Sequence, residues 1–157
     1  MPRAREPLHI VAIGGGTGLS TVLKGLKRYA PRLDQPARLP PVDITAIVTV
    51  TDDGGSSGRL RRDFDILPPG DIRNCLVALS EDEALMTQLF RYRFSGGRGL
   101  KGHSFGNLFL AALTQITGDF SRAGRLSSEV LAIAGHIYPS TSANVTLRAH
   151  LEDGRVL

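Results

Sequence analysis

Apolar and polar positions alternate between two periods along the first fifty residues. Residues 8–16, LHIVAIGGG, form a short apolar run closed by glycines, which predicts a buried strand. From residue 19 to 30 the spacing changes. Leu19, Val22, Leu23 and Leu26 fall on one helical face, and Lys24, Lys27 and Arg28 lie mostly off it. Residues 31–42 hold four prolines and predict a loop. Residues 43–51, DITAIVTVT, are rich in β-branched side chains and predict a second buried strand. Strand, helix and strand in this order make the unit of a parallel sheet with a right-handed crossover.

The rest of the chain reads as mostly helical. Pro68-Pro69-Gly70 predicts a turn. Asp71 then caps or begins a helix with Ile72, Leu76 and Leu79 on one face. Residues 81–94 predict another helix, and residues 95–102, SGGRGLKG, a loop. Residues 103–118 carry the clearest helical pattern. Ser104 stands as N-cap, Phe105, Leu108, Phe109, Ala112, Leu113 and Ile116 share the apolar face, and Gly118 closes it. Residues 121–135 repeat the pattern and stop at a glycine. Residues 143–157 alternate around Asp153-Gly154, a hairpin signal. Only three residues follow that turn, so the chain is expected to be the N-terminal part of a longer protein.

Two strand-to-helix junctions are unusually rich in glycine. In the first, Gly14, Gly15, Gly16, Thr17 and Gly18 lie where the first strand gives way to a helix. Helix N-termini offer free N–H groups and a partial positive charge, which suits phosphate. The spacing is neither the dinucleotide fingerprint nor a P-loop, because glycines recur every second residue and no Gly-Lys-Ser/Thr follows. The second junction is Asp52, Asp53, Gly54, Gly55, Ser56 and Ser57. It follows a second parallel strand, so both junctions are expected at the carboxyl edge, where open α/β sheets bind ligands. The two acids suit a divalent metal or ribose hydroxyls, and the glycines and serines a second anion nest. A capping turn for a helix starting near Arg59 is the simpler alternative. Arg73 and Asn74 follow the Pro-Pro-Gly turn, placed to clamp phosphate or bond a base or sugar. His103, Ser104 and Asn107 surround another helix start, where capping by Ser104 is the simplest role.

Composition narrows the class. The 157 residues fit one domain, and a net charge of +4 suits an anionic ligand but is too weak to imply nucleic acid. Residues 91–102 interleave basic and aromatic side chains, but Tyr92 and Phe94 read better as core or loop anchors than as an RNA platform. The single cysteine, Cys75, excludes an internal disulfide and a cysteine-rich metal site, and agrees with a cytoplasmic location. No apolar run is long enough to span a bilayer.

Taken together and in order, IGGGTGLS, VTDDGGSSGRLR, PPGDIRNCL and GHSFGNLFLAAL resemble the bacterial gluconeogenesis factor family, a CofD-like family. YPST at 138–141 and the NVTL that follows fit it too. The resemblance runs from Ile10 to the C-terminus. It implies a Rossmann-like three-layer α/β parallel sheet, of which residues 1–157 form an incomplete N-terminal portion. It implies a binding protein for a nucleotide sugar of the UDP-N-acetylglucosamine type, serving gluconeogenic growth, cell shape and wall synthesis through a cell-wall synthesis protein partner. The alternative is the chemistry of the enzyme relative, 2-phospho-L-lactate transferase, which uses magnesium and a nucleoside diphosphate donor. On the resemblance, Thr17 and its glycines match the diphosphate loop, Asp52 and Asp53 the acidic pair near the ligand, with Mg2+ between them in the enzyme reading, and Asn74 and Asn107 are further candidates. A homo-oligomer is compatible with all of this.

Overall fold

The computed structural model describes residues 6–30 and 41–156. The proline-rich stretch expected as a loop falls almost wholly outside them. β1 (Leu8–Gly14) leads into α1 (Gly16–Leu26), which tightens into a 3-10 turn at Lys27–Tyr29. β2 (Val42–Val48) follows. Five helices come next: α2 (Gly55–Phe64), α3 (Gly70–Leu79), α4 (Glu83–Arg91), α5 (Phe105–Thr117) and α6 (Phe120–Val130). β3 (His136–Pro139) closes the sheet.

The sheet is parallel throughout, in the order β1-β2-β3. Ile10 pairs with Ile44 and Ala12 with Ala46, and Ala46 pairs with Ile137. These residues point to one face, where Leu19 and Leu23 of α1 and Ile72, Cys75, Leu76 and Leu79 of α3 pack against Ile44, Ala46, Val48 and Ile137. Burying a Leu or Ile side chain stabilises by roughly 1.5–3 kcal/mol, so this layer is the main source of fold stability.

The opposite face is open among the described residues. Val11 is 59% exposed, Ile13 73% and Tyr138 45%. Parallel strands are normally covered on both faces. The expectation of a buried β1 is therefore corrected: one side of it packs on the core and the other is bare. The helices and sheet make two layers here, a mixed α/β arrangement with a small parallel sheet flanked by helices.

Other expectations shift as well. α2 begins at Gly55 rather than near Arg59, and β2 ends at Val48, leaving 49–53 as loop. α6 stops at Val130, and Ala132 adopts φ 44°, which turns the chain toward β3. α5 is rolled relative to its apolar pattern: Asn107, Leu110, Ala111 and Thr114 are buried, whereas Ala112 is exposed and Ile116 is 77% exposed. The hairpin expected at Asp153-Gly154 is minimal: one antiparallel bridge between His150 and Val156, with the Leu151 N–H donating to the Arg155 carbonyl, and no strands.

Candidate functional site

Both glycine-rich junctions lie at the carboxyl ends of β1 and β2, as the strand order requires. The Thr49 N–H donates to the Gly14 carbonyl at 2.8 Å, which holds the two exits together. A side chain at Gly15 would collide with Thr49 and come within 3.0 Å of Asp71 Oδ2. A Cβ at Gly70 would lie 2.5 Å from Asp52 Oδ2 and 2.6 Å from Ser57 Oγ. Glycine at these two positions lets the starts of α1, α2 and α3 close on one another. Thr49, Gly70 and Asp71 thus belong to the site, although only Asp71 stood out in the sequence.

The six α-helices of the described residues divide by how they begin. Asp82, Ser104 and Asp119 cap α4, α5 and α6 by accepting the backbone N–H three residues on. Gly15, Gly54 and Pro69 precede α1, α2 and α3 and supply no side-chain cap. Glycine at the N-cap costs a helix only a few tenths of a kcal/mol, so the starts of α1 and α2 tolerate the missing side chain. The three uncapped starts meet at the carboxyl edge, with the capped start of α5 packed against those of α2 and α3. Their orphan N–H groups and dipole ends make a concentrated acceptor-seeking surface.

The candidate side chains separate into two groups. Thr17 is exposed in the first turn of α1, and its hydroxyl takes part in no hydrogen bond among the described residues, although its carbonyl accepts from Ser20 and Thr21. Asp52 accepts from the Gly54 N–H through Oδ1 at 2.9 Å, an Asx turn, and its Oδ2 faces Gly70. Asp53 turns the other way, accepting from Arg61 Nη1 at 2.9 Å, and Arg61 is buried and also donates to the Val145 carbonyl. The two adjacent acids therefore do not converge. Among the described residues no three His, Cys, Asp or Glu side chains gather to hold a metal. The Asp52–Asp53 magnesium pair thus finds no fit in this arrangement.

Ser56, Ser57 and Asn107 are buried and serve the scaffold. Ser56 Oγ lies 3.0 Å from His103 Nδ1 and accepts weakly from the Ser104 N–H. Ser57 Oγ accepts from Asn107 Nδ2 at 3.2 Å. Burial, then the nearby Arg59 charge, lowers the His103 pKa, which favours the neutral imidazole; its Nδ1 shares a hydrogen bond with the Ser56 hydroxyl whose direction follows the tautomer. A Ser–His pair does exist here, but it joins α2 to the start of α5 and is sealed from solvent.

Arg73 ties the region together. Its Nη1 donates to Ser104 Oγ at 2.8 Å and to Asn107 Oδ1 at 3.0 Å, and its Nη2 donates to Asn74 Oδ1 at 2.9 Å. Its Nε is buried without a partner. Burial and then repulsion from Arg93 and Arg91 lower its pKa, opposed by Asp52 and Asp71. The guanidinium stays charged, and its hydrogen-bond partners are neutral. Asn74 is spent on Arg73. Elsewhere, Cys75 is fully buried, and burial pushes its thiol up to about 12. Tyr92 and Phe94 pack edge-to-face at 5.2 Å in the loop before α5.

This pattern of junctions has counterparts in known proteins. A family model described as 2-phospho-L-lactate transferase CofD matches residues 10–157. A putative gluconeogenesis factor from Nostoc is 60% identical over 93% of this chain and 30% of its own length. The chain belongs to the CofD-like gluconeogenesis-factor family. The gluconeogenesis factor of Bacillus subtilis is 55% identical, over 94% of this chain and 43% of the relative. A crystal structure of a Bacillus halodurans protein superposes with a TM-score of 0.84 at 52% identity, covering 98% of this chain and 45% of the other. The chain thus spans less than half the length of these relatives. None of its described helices is long and apolar enough to cross a membrane.

Proposed function

We propose that the carboxyl edge binds the diphosphate of a nucleotide sugar of the UDP-N-acetylglucosamine type, and that the protein acts as a regulatory binding protein in gluconeogenic growth, cell shape and wall synthesis. The observation that carries the binding proposal is the meeting of three uncapped, glycine-flanked helix starts. Oxygens of a diphosphate satisfy such N–H groups without any side chain. Gly14, Gly15, Gly16 and Gly18 line one side with the Thr17 hydroxyl, and Gly54 and Gly55 line the other. Arg73 supplies positive potential from below. The carboxylates of Asp52 and Asp71 suit hydroxyls of a ribose or a sugar, as acceptors.

The regulatory role rests on the family, whose members carry the description gluconeogenesis factor. The Rossmann-like architecture and a cell-wall partner belong to the same proposal. The transferase alternative draws on the family model's own description. It requires a metal that the Asp52–Asp53 pair does not cradle here.

Calorimetry with UDP-N-acetylglucosamine, with and without magnesium, tests the proposal. Saturable, magnesium-independent binding is expected, at least tenfold weaker in Asp52→Ala and in Thr17→Ala, with both variants folded. Unchanged affinity in both variants would remove this site. Release of a nucleoside monophosphate from a diphosphate ester donor, dependent on magnesium, would establish the transferase alternative instead.

A further inference from the structure

α4 turns one side to solvent, and that side is apolar in its middle. Phe90 is buried on the inner side, where Lys24 and Lys27 hold Glu83. On the outer side Leu85 is 54% exposed, Leu89 40% and Tyr92 54%. Spacings of four and three residues put them in one stripe along the helix. Single exposed apolar side chains are ordinary on a surface, whereas three in one stripe mark a contact face. The ends of the stripe carry opposite charges. Glu81 and Asp82 precede the helix, Arg91 closes it and Arg93 follows. Glu81, Arg91 and Arg93 have no ion-pair partner among the described residues. Arg93 and Arg91 also repel the Arg73 guanidinium, so the charge at that end lacks compensation. α4 packs on α3 and α5, a layer away from the sheet, so its stripe is separate from the bare face.

The charge order names the occupant. A surface that is acidic at one end, apolar in the middle and basic at the other is complementary to itself when one copy is reversed. Successive helical residues turn by about 100°. Leu85 and Leu89 therefore fall to one side of the line through Glu81 and Tyr92, and Ala84, Gln88 and Arg91 to the other. A twofold axis lying across the helix keeps each side and reverses each level. Set at the level of Thr87, it brings Leu85 onto Leu89 of the partner subunit, and Arg91 onto the end that carries the partner subunit's Glu81. Parallel pairing would instead set Arg91 beside Arg91 and align the two helix dipoles, which repel. We infer that α4 docks a second copy of this chain, antiparallel to itself, with Leu85 and Leu89 at the centre and Glu81 against Arg91 at each end. The helix has nine residues and is about 13.5 Å long. Pairing along it buries less than the about 800 Å² per partner of a standard interface, so the pair is weak and depends on concentration.

Sedimentation equilibrium from low micromolar to millimolar concentration tests this. The average mass is expected to climb from one chain towards two, and to climb less at high salt, because exposed ion pairs are screened. Leu89→Glu is expected to stay at one chain throughout with an unchanged thermal transition, since Leu89 lies on the surface. Glu81→Arg and Arg91→Glu are each expected to weaken pairing at least tenfold. The double variant Glu81→Arg/Arg91→Glu reverses both charges and is expected to pair within threefold of the parent, a recovery that damage to the fold could not produce. A mass of one chain at every concentration would overturn the inference, and so would a double variant that pairs no better than the single ones. A pair that survives Leu89→Glu and is lost in Val11→Lys would put the contact on the bare face of the sheet, and would overturn it too. Nucleotide binding enters none of these readouts, so the test stands or fails apart from the diphosphate site.

Discussion

Replacing Arg73 by Met removes a half-buried cation and leaves its acceptors behind. Three hydrogen bonds disappear, to Ser104 Oγ, Asn107 Oδ1 and Asn74 Oδ1. Their losses differ. Asn74 is half-buried and reaches water, and Ser104 Oγ still accepts from the Asn107 N–H. Asn107 is 2% exposed, so its carbonyl oxygen is stranded. A stranded buried acceptor costs about 1–3 kcal/mol. Removing the desolvated charge returns part of the lost hydrogen-bond energy, so the net destabilisation is about 2 kcal/mol. In a domain of this size that lowers Tm by about 4–8 °C. The double variant Arg73→Met/Asn107→Leu removes donor and acceptor together, and is expected to be less destabilised than the sum of the single changes by about 1 kcal/mol or more. Urea and thermal denaturation followed by circular dichroism measure both quantities. Additive single effects, or an Arg73→Met protein as stable as the parent, would refute the account of Arg73 as the tie between α3 and α5.

Gly70→Ala is expected to fold with a loss of no more than about 2 kcal/mol, because overpacking of about 1–3 kcal/mol is offset by better helix propensity. The same methyl pushes on Asp52 and Ser57, so nucleotide-sugar affinity is expected to fall at least tenfold by calorimetry. For His103 the folded pKa lies below its ordinary value near 6.5. As pH falls below about 6.5 the unfolded chain takes up a proton that the folded one refuses, so stability drops with acid by at most about 1.4 kcal/mol per pH unit. His103→Asn is expected to flatten that slope between pH 7.5 and 5 in urea titrations, and parallel slopes would sink the assignment. Cys75 is expected to resist a thiol reagent in native buffer at pH 8 and to react with one equivalent in denaturant, as a buried thiol raised to about 12 requires.

Much of the fold is legible in side-chain spacing. β1, β2 and most of the buried faces of α1 and α3 follow from apolar periods, since Leu19, Leu23, Ile72, Leu76 and Leu79 do bury as their spacing predicts, although Val22 on the same predicted face is exposed. Three features do not. β3 has four residues, His-Ile-Tyr-Pro, too few for a period, and only the pairing of Ile137 with Ala46 makes it a strand. The start of α2 consists of Gly, Ser, Ser and Gly, poor helix formers that the contacts of Ser56 with His103 and Ser57 with Asn107 hold in place. α5 is rolled so that Asn107 faces inward, where it accepts from Arg73 and donates to Ser57, against the apolar pattern. In the site, sequence order brings the two glycine junctions together but says nothing of side-chain direction. Asp53 looks like a partner of Asp52 until Arg61 is seen to hold it.

The absence of side-chain caps on α1, α2 and α3 determines which mutagenesis would reveal the proposed grip. Its donors are main-chain N–H groups, which alanine, serine or valine carry as well as glycine does. Alanine at the glycines of 14–18 and 54–58 would register the bulk of added methyls and leave the main-chain donors in place. Proline alone deletes a donor, and the first helical turn is where it does so with least damage to the helix. A proline scan across the first turns of the three helices would therefore map which N–H groups hold a ligand, a pattern that side-chain truncation would pass over in silence.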